Sequence, residues 1–153
     1  MTPEEYMQKA LELAKLSAEH DEIPVGCLIV NSATGEIIAS AHNLSQHSED
    51  ATAHAEILAI RQACQTLKQN RLWDMDMYVT LEPCTMCAAA ISFARIQNLY
   101  FGAFDEKGGA VTNGVKFYEQ KTCHHKPNVV GGILENECSQ ILKDFFKNKR
   151  NKN

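Results

Sequence analysis

Apolar positions recur at helical spacing at the start of the chain, where Tyr6, Ala10, Leu13 and Ala14 share one side and Thr2-Pro3 has the character of an N-cap and first helical residue. The pattern predicts a first helix ending near His20. Continuous apolar "VGCLIV" (Val25 to Val30) then reads as a buried strand, "NSATG" as a turn, and "EIIASAHN" as a second strand paired with the first. After the polar loop "LSQHSEDAT", the positions Ile57, Leu58, Ile60, Arg61, Cys64 and Leu67 predict a second helix to about Gln69. "MYVTL" (Met77 to Leu81) is a short strand, "CTMCAAAISFA" a third helix, "NLYFGAF" another strand and "DEKGGAVTNG" a glycine-containing loop. Leu134, Cys138, Ile141, Leu142 and Phe145 fall on one face of a last helix. There is no repeat, linker or low-complexity segment. The alternation of strands and helices predicts an α/β sandwich with helices on both sheet faces, built as a single domain over residues 1–153.

Composition adds little to that fold but bounds the setting. With 153 residues, 44% of them hydrophobic, the chain can bury one sizeable core. Its first residues lack a basic leader and cleavage signal, and no apolar run approaches the roughly 20 residues of a membrane span, so a cytoplasmic protein is expected. Cys27, Cys64, Cys123 and Cys138 are scattered, and a chain of this length needs no staples; they are expected to be reduced and mostly buried. The net charge of -4 conceals a basic tail: between Lys143 and Asn153 five cations (Lys143, Lys147, Lys149, Arg150, Lys152) face one anion, Asp144.

The remaining two cysteines carry the chemistry. "EPCTMC" places Cys84 and Cys87 three apart where a strand gives way to a helix. There both thiols lie on one side, near unpaired amides and the positive end of the helix dipole, which favour thiolate. A structural zinc site needs four protein ligands, and no second CxxC or CxxH is present. A catalytic zinc site needs three and leaves one position to water. His54, in "TAHAEI", is the best third ligand. Mid-helix, residues two apart point roughly 200° from each other, but at a first turn His54 and Glu56 can both reach a centre ahead of the helix. The histidine would bind the metal and the glutamate would handle protons.

Other readings of these residues remain open. A lone histidine at a helix start is more often structural, and a cytosolic CxxC after a strand is about as often a redox pair. Such a pair predicts a reversible Cys84–Cys87 disulfide and no metal, whereas a noncatalytic RNA-binding module would not need Glu56. Cys123, His124 and His125 offer another possible ligand cluster, set between lysines in a predicted loop.

H-A-E followed by P-C-x-x-C is the zinc nucleobase deaminase signature. With "PVGCLIV", "YVTLEPCTMCAAAISFARI", "YFGAFDEKGGAV" and "GGIL…DFFKNKR", the chain resembles the bacterial tRNA-specific adenosine deaminases of the cytidine/deoxycytidylate deaminase superfamily. The match covers nearly the whole chain and departs most between Asn113 and Val130, at "TCHHKPN". The resemblance implies a cytidine-deaminase-like three-layer α/β/α sandwich around a mixed sheet of about five strands. It implies hydrolytic conversion of adenosine to inosine at the wobble position of a tRNA anticodon stem-loop. His54, Cys84 and Cys87 match the family's zinc ligands, one Zn2+ per chain activating water, and Glu56 its general acid and base. Asn43 matches an asparagine that bonds the target nucleoside; Asp105 and Lys107 match loop residues near the flanking RNA. On the last helix Phe146, off the core stripe and beside Lys147 and Arg150, would meet a splayed-out loop. A homodimer is implied, with no organic cofactor and no membrane. A free-base deaminase for guanine or cytosine carries the same motif and is the alternative within the class.

Overall fold

Side chains along the first strand alternate between two cores. In β1 (Gly26–Asn31), Cys27 and Ile29 join one buried cluster with Met77, Val79, Leu99 and Phe101, whereas Leu28 and Val30 join a second with Tyr78 and Ala103. Helix α1 (Pro3–Glu19) covers the second cluster with Tyr6, Met7, Ala10 and Leu11, and α4 (Glu135–Asn151) adds Cys138 to it. On the other face α2 (Ala55–Leu67) contributes Ala55, Ala59 and Ala63, and α3 (Thr85–Ala94) contributes Ala88 and Ile91. Three layers result, the expected α/β/α sandwich. This computed structural model describes residues 1–151, with side-chain surroundings through Arg150; the tail cation Lys152 lies outside the described residues.

The sheet runs in the order β2-β1-β3-β4-β5, with β2 (Ile37–His42), β3 (Met75–Leu81), β4 (Asn98–Ala103) and β5 (Asn128–Gly131). β1 is antiparallel to both neighbours, while β3, β4 and β5 run parallel. The mixed register brings the start of β1, the end of β2 and the ends of β3 and β4 to one edge of the sheet. That edge is where open α/β sheets place ligands. α1 lies close against it, since a Cβ on Gly26 would stand 1.9 Å from the Ala10 carbonyl oxygen.

The first helix begins as its sequence predicts: Pro3 opens it and the Thr2 hydroxyl accepts from the Glu5 N–H. Other expectations need correction. The fifth strand, β5, is only four residues long, and the apolar pattern did not locate it. The buried stripe of α2 is alanine; Ile57, Leu58, Ile60, Cys64 and Leu67 are half-buried and Arg61 is exposed. Small side chains let that helix approach the sheet closely, and the larger ones flank the contact. All six cysteines are free, but of the four scattered ones only Cys27 and Cys138 are buried, with Cys64 and Cys123 half-buried. No described helix is long and apolar enough to cross a membrane.

Candidate active site

Two helices begin at that sheet edge, and neither begins with an ordinary capping residue. The N-caps of α2 and α3 are His54 and Cys84, both extended (φ -74° each), and neither side chain makes a capping hydrogen bond. Ser, Thr, Asp or Asn would normally stand there. Freed from capping, the His54 imidazole and the Cys84 thiol turn toward each other. His54 Nδ1 lies 3.7 Å from Cys84 Sγ and 3.5 Å from Cys87 Sγ, and the three donor atoms all fall within 4.8 Å of one another.

Those distances suit a zinc ion. Tetrahedral zinc with ordinary Zn–N and Zn–S bonds separates nitrogen and sulfur ligands by about 3.6 Å. Two thiols and an imidazole also form a three-ligand soft donor set, which leaves a fourth position. The electrostatics prepare it further. A hydrogen bond from the Cys87 thiol, followed by backbone N–H groups of Cys87 and Met86 and the nearby His54, lowers the Cys84 thiol to about 5 despite burial. The Cys87 thiol, donating to Cys84 and buried, is pushed up.

Glu56, 4% exposed, stands on the first turn of α2 beside this cluster. Burial raises its carboxyl to about 7, with the Cys84 thiolate adding and its own N–H and His54 opposing. A carboxyl poised there can take and return a proton near neutral pH.

Asn43 is fixed at the same edge. Its N–H donates to the Val25 carbonyl at 3.1 Å, its carbonyl oxygen accepts from Ser17 Oγ at 3.0 Å, and its Oδ1 accepts from the Ala55 N–H at 3.1 Å. The side-chain oxygen therefore serves α2. Only Nδ2, which has no partner among the described residues, is left to donate outward.

The other expected contact residues lie apart from the cluster. Asp105, Lys107, Phe146 and Arg150 line one open groove of about 880 Å³ between the loop after β4 and helix α4. Phe104, Lys143, Ile23 and Leu142 share its lining. Phe104 and Phe146 are exposed by 42% and 43%. Lys147 is exposed but does not line this groove. The alternative cluster is structurally committed: Cys123 Sγ donates to the His125 carbonyl oxygen at 3.1 Å and the His125 ring bonds the Ile96 carbonyl at 2.7 Å. Among the described residues, His54, Cys84 and Cys87 are the one group that could hold a metal.

Sequence reasoning passed over two buried acids, Glu22 and Glu82. Glu22 accepts from the N–H groups of Gln46 and His47 and from the His47 ring, holding the loop that leads to His54. Burial raises its carboxyl, but those bonds outweigh it and hold it below the usual range. Glu82, immediately before Pro83-Cys84, does the same for the loop after β4; burial again opposes, and its hydrogen bonds to Asp105, Asn113, Thr112 and Val111 prevail. Their one sequence signal was an acid beside an apolar stretch, Glu22 before Ile23 and Glu82 after "MYVTL".

Comparison with known proteins agrees with this geometry. Residues 1–103 match the family described as the cytidine and deoxycytidylate deaminase zinc-binding region. The tRNA-specific adenosine deaminase of Agrobacterium fabrum is 54% identical over 145 residues, 95% of this chain and 94% of that protein. A solved structure from studies of A-to-I editing by tRNA:A34 deaminases at the wobble position of transfer RNA superposes with a TM-score of 0.88 at 54% identity, covering 90% of this chain and 99% of that one. The guanine deaminase of Bacillus subtilis is more distant, with a TM-score of 0.64 and 32% identity over 79% of this chain and 87% of that one.

Proposed function

This chain belongs to the zinc-binding cytidine and deoxycytidylate deaminase family, among the tRNA-specific adenosine deaminases, and from that premise we propose that it converts adenosine to inosine at the wobble position of a tRNA anticodon loop. The observation that carries the chemistry is the pair of N–S separations, 3.5 and 3.7 Å, at two facing helix N-termini. His54, Cys84 and Cys87 hold zinc, one ion per chain. Bound there, zinc supplies an acidified water as nucleophile. Glu56 accepts a proton from the attacking water and passes protons to the ring nitrogen and to the departing amino group. A C6–O bond forms, the C6–N bond breaks, and ammonia leaves. The Asn43 amino group donates to the target nucleoside.

The groove favours RNA over a free base. Its two exposed phenylalanines offer stacking faces, and Lys107, Lys143 and Arg150 offer phosphate contacts that a free base has no use for. Anticodon loops present unpaired bases, so little unstacking energy is spent in reaching the target. A cytoplasmic homodimer fits the same reading. Met86, Ala89, Ala90 and Phe93 lie at helical spacing on the outer side of α3, and Phe93 is 68% exposed.

Incubation with an anticodon stem-loop bearing wobble adenosine, alongside guanine and cytosine, followed by nucleoside analysis tests the proposal. Inosine is expected, with little reaction when guanosine or cytidine replaces that adenosine. Faster conversion of guanine to xanthine would overturn it in favour of a free-base enzyme.

A further inference from the structure

We propose that Glu82 is a positioning residue for the substrate: its carboxylate fixes the Asp105–Asn113 loop against the start of α3, and so sets the wall of the groove that carries Asp105 and Lys107. Glu82 is 2% exposed and accepts six hydrogen bonds. Oε1 accepts from Asp105 N, Thr112 Oγ1 and Asn113 Nδ2 at 3.1, 3.1 and 2.8 Å. Oε2 accepts from the N–H groups of Val111, Thr112 and Asn113 at 3.1, 2.9 and 3.1 Å. Both ends of the loop therefore close on one side chain.

Every partner is a donor, so both atoms at the end of residue 82 must accept. Only an ionised carboxylate does that; a glutamine would turn its amino group toward N–H donors. The loop is shaped around this group as well. A Cβ on Gly109 would stand 2.6 Å from the Glu82 carboxylate and 2.5 Å from the Asp105 carbonyl oxygen, so glycine alone lets the backbone close over it. The Ala110 N–H donates to the Pro83 carbonyl at 2.9 Å, a second tie to the segment that carries Cys84. Within the loop, Asp105 Oδ1 accepts from the N–H groups of Lys107 and Gly108, which fixes the backbone that carries the exposed lysine. One buried carboxylate thus links the metal-binding segment to the outer groove.

The inference rests on the reading of that groove as the RNA site. Its test is Glu82→Gln in the full chain, assayed for zinc content, for amide exchange at Val111, Thr112 and Asn113, and for kinetics on the wobble-adenosine stem-loop. A positioning role predicts parental zinc, faster exchange at those amides, KM raised about tenfold and kcat little changed. A role confined to fold stability would instead reduce zinc and kcat together and leave KM unmoved, which would overturn the proposal. Because burying an amide there can prevent folding, the pair Thr112→Val and Asn113→Ala removes only the two side-chain donors. It should raise KM in the same direction by a smaller factor, and a parental KM in that folded variant would also overturn the proposal. A parent protein that leaves the stem-loop unconverted refutes the functional reading and this inference with it; a converting parent whose Glu82→Gln variant keeps its KM refutes this inference alone.

Discussion

The corner where α2 and α3 begin and the groove between the β4 loop and α4 make opposite demands on their side chains. At the corner Glu56 is 4% exposed and Cys87 fully buried; in the groove Phe146 is 43% exposed and Arg150 is exposed too. Buried donors at fixed separations suit a metal and a proton carrier, which must be held in place before substrate arrives. Exposed aromatics and cations suit a ligand that brings its own surface. On the proposed function the difference gives turnover to the corner and affinity to the groove, and the two should come apart under mutation.

The harshest break is at the corner. Cys87→Ala removes one of the three proposed ligands, so metal analysis should show zinc lost and inosine formation abolished. Stoichiometric zinc in that variant would remove Cys87 from the site. Glu56→Ala is next: zinc and stem-loop binding should persist while kcat falls by about 10²–10⁴ or more. If zinc vanished with the carboxylate, Glu56 would have to be counted as a ligand.

The groove should answer differently. Phe146→Ala with Arg150→Ala should weaken stem-loop binding about tenfold or more and reduce the slope of log affinity against log salt by about one, since one phosphate contact is lost. Zinc content should stay at the parental value. Fluorescence anisotropy across a salt series measures both.

Smaller effects sharpen the boundary between the regions. Glu22 holds the loop leading to the corner, and its folded-state carboxyl titrates below the ordinary value of 4.5. The clamp therefore contributes stability above that value and loses it as pH falls through the lowered folded value. The thermal midpoint should drop on acidification below about 4.5, and Glu22→Gln should remove part of that acid dependence. Weakest of all is the ion pair between Lys149 and Asp21 at 2.7 Å, which ties α4 to the end of α1. Both side chains are well exposed, so Lys149→Ala should cost no more than about 1 kcal/mol in denaturant melts, less at high salt.

The same contrast explains what could be read from the sequence. The grouping of His54, Glu56, Cys84 and Cys87 was legible because metal and proton chemistry accept few residue types at few spacings, and the helix starts that position them announce themselves by Pro83 and by apolar periodicity. Asp105 and Lys107 could be named only through family resemblance, and Phe146 and Arg150 only by reading the basic tail in its light, since charged turns and tail aromatics are common. Phe104 went unread because its exposure depends on how the loop after β4 meets α4. Glu82 and Glu22 were hidden for another reason: each serves loop amides, and loop conformation leaves no periodic trace. β5 escaped because four residues between Pro127 and Gly132 are too few for an alternating pattern to show.

Steady-state inosine formation by the parent and by the Phe146→Ala, Arg150→Ala variant, carried to saturating wobble-adenosine stem-loop, tests this division most directly. Parental kcat with a raised KM is the predicted result, because the groove binds ground state and transition state alike. A kcat lowered in the variant while KM stays at the parental value would contradict it, and would place the groove in the chemistry.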